Sequence, residues 1–151
     1  GREHRAGGTD EDEELTVCMR TAVSCSLLLS LAAGRLDADE LEQRLAAANP
    51  RRGQLLYMQC KACHDVEPGL PHKVGSNLNG VFGRTAGTAP GFNYTDAMAK
   101  SGVVWTAQTL DTFLKQPGAM IPGNGMAFPG VASDADRASL VVYLQSSSTP
   151  K

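Results

Sequence analysis

Cys60-Lys61-Ala62-Cys63-His64 is the stretch that decides how the rest of the chain is read. Two cysteines three apart with a histidine directly after the second is the attachment pattern for a c-type haem. The spacing serves the chemistry. Two thiols add across the two vinyl groups on one edge of a porphyrin, and the next residue lies beneath the ring, where an imidazole nitrogen binds iron. One histidine fills one axial position, so a second ligand and a wrapping for the ring are sought elsewhere in the chain.

Other uses of C-x-x-C are weaker here. A structural zinc site needs two more ligands. Beyond residue 33 the only cysteines are Cys60 and Cys63, and the only histidine outside the motif is His72. A thioredoxin-like dithiol calls for a βαβ context, and no such pattern is present. The length of 151 residues suits one domain, and a formal net charge of -2 with both signs mixed gives no basis for nucleic-acid binding.

Residues 1–33 read as a leader. Residues 1–18 are polar and acidic, with the run Asp10-Glu11-Asp12-Glu13-Glu14, and are expected to be disordered sequence upstream of the true start. Met19-Arg20, the apolar run from Ala22 to Ala33 and the small residues Ala32-Ala33-Gly34 have the three parts of a signal peptide over 19–33. The run is short for a membrane span. An ordinary buried helix is the alternative, and an uncleaved anchor is a variant. Haem is attached outside the cytoplasm in bacteria, so export to the periplasm is expected. Cys18 and Cys25 leave with the leader, and no disulfide is expected.

The remainder reads as helices joined by ordered loops. A short extension over 34–50 opens at Asp37-Ala38-Asp39-Glu40, with Asp37 as N-cap and Leu41, Leu45 and Ala48 on one face, and ends at Asn49-Pro50. It is expected as a surface extension, with a partner-binding helix as the other reading. The main domain spans 51–148. A helix runs from Arg51 to about Ala62 with Gly53 placed for close approach of another helix. Val66 to Asn93 is a long loop, uncommon unless it wraps something. A short helix is expected over Asp96 to Lys100. Thr106 caps a helix with Leu110, Phe113 and Leu114 inward, stopped by Pro117. Pro117 to Val131, with three prolines and four glycines, is expected to be irregular. Ser133-Asp134-Ala135-Asp136 resembles a capping box and starts a last helix with Leu140, Val141 and Leu144 on one side. No strand is expected.

Candidates for the second iron ligand are Met58, Met98, Met120, Met126 and His72. Met58 is too close to the cysteines, and His72 is too close in sequence to His64 to cross the ring easily. Met120 and Met126 lie in the glycine- and proline-rich loop, which is able to extend over the far face. A single methionine is often core filler, but the pattern Ile121-Pro122-Gly123-Asn124-Gly125-Met126-Ala127-Phe128 singles out this loop.

Taken together, C-K-A-C-H, H-K-V-G-S-N-L-N-G-V-F-G-R-T-A-G (72–87), A-P-G-F-N-Y-T-D-A (89–97), Trp105, I-P-G-N-G-M-A-F (121–128) and the last helix with Leu140 and Tyr143 resemble the class I c-type cytochromes, the mitochondrial type and its bacterial relatives. The resemblance covers about residues 51–146. It implies an all-α class I cytochrome c fold around one haem c held through Cys60 and Cys63. It implies His64 as proximal and Met126 as distal ligand, hence a relatively high potential. The Ser76 carbonyl matches the acceptor for the His64 ring N–H. Arg84, Tyr94 and Trp105 match donors to the haem propionates, a role suited to a guanidinium, a hydroxyl and an indole N–H. His72 matches a tie between two loops, and Gly53, Tyr57, Leu140 and Tyr143 match the crossing of first and last helices.

Three positions depart from the family pattern. Ser76 stands where proline is usual, which keeps the carbonyl and loosens the loop. Phe113 stands where a tyrosine usually bonds the methionine sulfur. The loop from Pro117 to Val131 lacks the lysines that ring the haem edge of mitochondrial relatives. The function implied is a monomeric, soluble, non-enzymatic electron carrier, transiently bound by membrane redox complexes, a reductase and an oxidase. A haem enzyme or gas sensor with an open sixth position is the alternative, and a dithiol or metal module is a third.

Overall fold

The computed structural model describes residues 38–148. The expected leader, the first four residues of the extension and the Asp37 cap lie outside the described residues. Helix α1 occupies residues 38–46, α2 Pro50–Cys60, α3 Asp96–Ala99, α4 Ala107–Lys115, α5 Pro117–Met120 and α6 Asp134–Ser148. The only strand-like pairing among the described residues is a single antiparallel bridge, Thr85 to Val104. The fold is therefore all-α, as the resemblance to the class I c-type cytochromes implied. No helix among the described residues is long and apolar enough to cross a membrane.

Caps explain where the helices begin. Asn49 ends the extension and also starts α2: its side chain accepts from the N–H groups of Arg51 at 3.0 Å and Arg52 at 3.2 Å. Pro50 sits in the first turn, where a missing N–H costs nothing. Thr106 and Thr109 form a reciprocal capping box at α4. At α6 only half a box forms. Ser133 Oγ accepts from the Asp136 N–H at 3.3 Å, but the Asp136 carboxylate takes a two-pronged bond from Arg52 at 2.8 and 2.9 Å instead of reaching back. α5 corrects the reading of Pro117–Val131 as irregular throughout. Pro117 does stop α4, yet a fixed φ at the first position suits it to open a new turn.

The principal helix contact is α2 against α6. Gly53 makes it possible. A Cβ on Gly53 would lie 2.0 Å from the Ser139 carbonyl oxygen and 2.7 Å from Tyr143 Cβ. Ser139 also ties the two helices by accepting the Asn49 N–H at 3.2 Å. Below the crossing, Tyr57 packs its ring against Tyr143 at 5.3 Å. Leu140, Val141 and Leu144 are buried with Leu110, Phe113, Leu114, Trp105, Met98 and Ile121 in one apolar core. The carboxyl end of α6 is met by the long loop between α2 and α3: the Gly80 N–H donates to the Ser148 carbonyl at 2.6 Å.

One ionic cluster is buried under this core. Arg137, 1 % exposed, bonds Asp111 at 3.0 Å through Nε, the carbonyls of Val131 and Ala132 at 2.9 Å each, and the Asp134 carboxylate. Burial opposes the guanidinium charge, but the bonds from Asp111 and Asp134 outweigh it and raise its pKa. Arg44 on α1 reaches the same Asp111 at 3.4 Å, and Leu45 packs on the core. The extension helix thus docks on the domain rather than standing off it.

Gly53→Ala is expected to lower holoprotein stability by about 1–3 kcal/mol, because the clash is with backbone that cannot swing aside. Guanidinium unfolding followed by tryptophan fluorescence checks this, and an unchanged midpoint would contradict the tight crossing.

Candidate haem site

The motif sits where α2 ends. Cys60 is the last helical residue, and the Lys61 N–H closes the final turn on the Tyr57 carbonyl at 2.9 Å. The N–H groups of Cys63 and His64 both return to the Cys60 carbonyl, at 3.0 and 2.9 Å. This tight turn sets both thiols, each half-buried, beside the histidine. Burial first, and then the neighbouring Cys63, push the Cys60 thiol up to about 11. A zinc site or a reactive dithiol requires thiolate at neutral pH. A thioether is uncharged and fits this burial without cost.

His64 is held from two directions. Its Nδ1 lies 2.7 Å from the Ser76 carbonyl. A carbonyl only accepts, so Nδ1 carries the proton and the Nε2 lone pair is left for a metal. Burial holds the imidazole below its ordinary pKa, the Ser76 bond opposes this, and the nearby Lys73 charge assists it. The neutral form is the one that binds iron. Gly75 cradles the ring: a Cβ there would fall within 2.2–2.6 Å of three imidazole atoms. From behind, the Tyr57 hydroxyl donates to the His64 carbonyl at 2.9 Å.

Ser76 is buried, and the loop carrying it is not loose. Asn77, which sequence analysis did not single out, secures it. Its carboxamide donates to the carbonyls of Glu67 at 2.9 Å and Leu70 at 3.0 Å and accepts the Asn79 N–H at 2.7 Å. Its N–H donates to His72 Nδ1 at 2.9 Å, and His72 Nε2 in turn donates to the Pro90 carbonyl at 2.9 Å. His72 therefore ties two loops. Lys73 adds a stitch, donating to the Lys61 carbonyl and the Asp65 carboxylate at 3.0 Å each. Only the H-K-V-G-S-N run itself hinted at these residues; their bonds are all across loops.

Arg84 and Trp105 come side by side. The Trp105 N–H donates to the Arg84 carbonyl at 3.0 Å, and the Gly83 N–H to the Trp105 carbonyl at 2.8 Å. The Arg84 guanidinium also donates to the carbonyls of Asn79 at 2.9 Å and Asn77 at 3.2 Å, leaving further N–H groups of its five for another acceptor. Tyr94 is on a separate loop, half-buried, edge-on to Phe92 at 4.7 Å. Phe92 also contacts His72 at 5.4 Å. Phe113 is buried edge-on to Trp105 at 5.0 Å.

Of the two loop methionines, Met120 is the last residue of α5, its N–H bonded to the Gln116 carbonyl at 3.2 Å. Met126 lies in extended chain beyond the helix. It is half-buried and packs against the apolar core, as do Leu78, Phe82, Tyr94 and Phe128. The residues fit a c-type haem: an imidazole with one nitrogen committed, two adjoining thiols, a methionine packed on the apolar core, and donors suited to carboxylates.

Comparison with known proteins gives the same answer. Residues 50–148 match the family described as cytochrome c. The chain is 44% identical over 99 residues to cytochrome c2 of Rhodomicrobium vannielii, covering 66% of this chain and 79% of that protein. It is 47% identical over 95 residues to cytochrome c of Kluyveromyces lactis, covering 62% and 86%, and 49% identical over 90 residues to cytochrome c2 iso-2 of Magnetospirillum fulvum, covering 60% and 93%. With its C-x-x-C-H turn at the end of α2 and its family match spanning every helix from α2 onward, the chain belongs to the cytochrome c family.

Proposed function

We propose that Cys60 and Cys63 hold haem c by thioether bonds, that His64 and Met126 are the axial ligands, and that Ser76, Arg84, Tyr94 and Trp105 complete the site. The protein carries single electrons between redox partners. When bound, the haem supplies an iron that alternates between ferric and ferrous states. The observation that carries the reading is the His64 ring, its Nδ1–H committed to the Ser76 carbonyl and its Nε2 left to a metal.

The chain's own groups do the rest. Cys60 and Cys63 would hold the haem through two thioether bonds, and addition of a thiol across a vinyl group would need no oxidant. The Ser76 carbonyl and the Tyr57 hydroxyl keep His64 from turning when the iron charge changes. Arg84 and Trp105, paired through their backbones, offer adjacent donors to propionates. His64 and Met126 would both be committed to the iron, which would leave no place there for a substrate, so the chain acts as a carrier and not an enzyme.

In the ferric holoprotein a sulfur-to-iron charge-transfer band is expected, and the ferrous form should not respond to carbon monoxide. Met126→Ala should abolish the band and admit carbon monoxide. A high-spin spectrum or rapid carbon monoxide binding in the parent protein would overturn the ligand assignment.

The partners proposed are membrane redox complexes, a reductase and an oxidase, met transiently by a monomer in the periplasm. The loop 117–131 carries no lysine, so steering by charge is weak on that face. The rate of electron delivery to the oxidase is expected to fall less than about tenfold between low and physiological salt; a steeper fall would contradict this. Residues 1–33 are proposed as a leader removed on export. The intact mass of exported protein should then equal residues 34–151 plus one haem, and a heavier species retaining 19–33 would refute cleavage.

A further inference from the structure

The segment that carries Met126 is a built turn. Ile121 is buried, and its N–H donates to the Pro117 carbonyl at 3.0 Å, which fastens the turn to α5. The Asn124 N–H then returns to the Ile121 carbonyl at 3.1 Å. Pro122 occupies the second position and Gly123 the third, with φ +81°. This is the residue order that a type II turn requires.

The Asn124 side chain extends the lock in both directions. Its Nδ2 donates to the same Ile121 carbonyl at 2.9 Å, and its Oδ1 accepts the Met126 N–H at 2.7 Å. The Met126 carbonyl is engaged too, by the Phe128 N–H at 2.9 Å. Gly125, at φ +80°, brings the chain against α3: a Cβ there would stand 2.9 Å from Thr95 Cγ2. Both backbone groups of Met126 are thus bonded, and its N–H is bonded by a side chain only two residues away. Phe113, in contact with Trp105, has no hydroxyl to offer the sulfur.

We infer that Asn124 is a positioning residue for Met126, and that its carboxamide, bridging the Ile121 carbonyl to the Met126 N–H, sets how readily the thioether leaves the iron. The inference rests on the reading of Met126 as axial ligand. A carboxamide is needed because one end must donate and the other accept. Alanine provides neither. Aspartate accepts the Met126 N–H but repels the Ile121 carbonyl.

The test uses ferric holoprotein mixed with saturating imidazole in a stopped-flow instrument, where the limiting rate of spectral change reports spontaneous departure of the native ligand. Asn124→Ala is expected to raise that rate about tenfold or more, since two hydrogen bonds are lost. Arg52→Ala, which removes an exposed ion pair to Asp136 and touches no residue of the haem site, is expected to leave it within about twofold. A wild-type rate in Asn124→Ala, or equal acceleration in Arg52→Ala, overturns the inference. Should Asn124→Ala fail to take up haem, Asn124→Asp decides in the same way: acceleration supports the inference and an unchanged rate overturns it. Met126→Ala separates the two claims. If it leaves the parent spectrum unchanged, the ligand assignment falls and the positioning role falls with it. If it removes the charge-transfer band while the Asn124 variants behave as wild type, only the positioning role falls.

Discussion

The contact between Gly53 and Ser139 is the constraint on which the rest of the structure depends. Because residue 53 has no side chain, α2 approaches α6 closely enough for the Ser139 carbonyl to occupy the space a Cβ would take. That distance brings Tyr57 against Tyr143 and buries its ring. From there its hydroxyl meets the His64 carbonyl, so the helix crossing is transmitted to the proximal ligand through one side chain. Packing and site geometry are one problem here: a wider crossing moves the tyrosine, and with it the histidine.

The site is organised around keeping charge low until iron supplies it. Cys60 and His64 are half-buried, and desolvation raises the thiol pKa and lowers the imidazole pKa, in both cases favouring the uncharged form. Backbone carbonyls, not carboxylates, take the ring N–H and much of the Arg84 guanidinium. A carbonyl fixes orientation without adding a full negative charge next to the metal. The cation and carboxylate of Lys73 and Asp65 neutralise each other at the edge. Arg137 and Asp111 are buried full charges, each with several partners, and the pair braces α4, α6 and α1.

Loops rather than helices carry most of the site, and side-chain amides make them firm. Asn49, Asn77 and Asn124 each use the carboxamide to hold nearby backbone. Each stands beside a functional or architectural junction: the start of α2, the loop of Ser76 and the turn of Met126. A neutral group that both donates and accepts is able to satisfy loop backbone that no helix or sheet reaches. In this way hydrogen bonds from side-chain amides tie down the long irregular segments between the helices of the described residues.

Local chemistry made much of this legible in advance. The C-x-x-C-H spacing, the cap at Thr106, the glycine at 53 and the apolar faces of α4 and α6 are properties of neighbouring residues, and the sequence alone determined them. It also determined the all-α class and the family, because the motifs keep their order and spacing. Tertiary structure decided what depends on distant partners. The Asp136 carboxylate serves Arg52, 84 positions away, and not its own helix cap. α1 is anchored by Arg44 to Asp111, across 67 positions. Ser76 holds its carbonyl in place because Asn77 is bonded on every side, and nothing in a serine forecasts that. Hydrogen-bond partners across loops follow from where the chain returns, and that path is fixed only once the helices have packed.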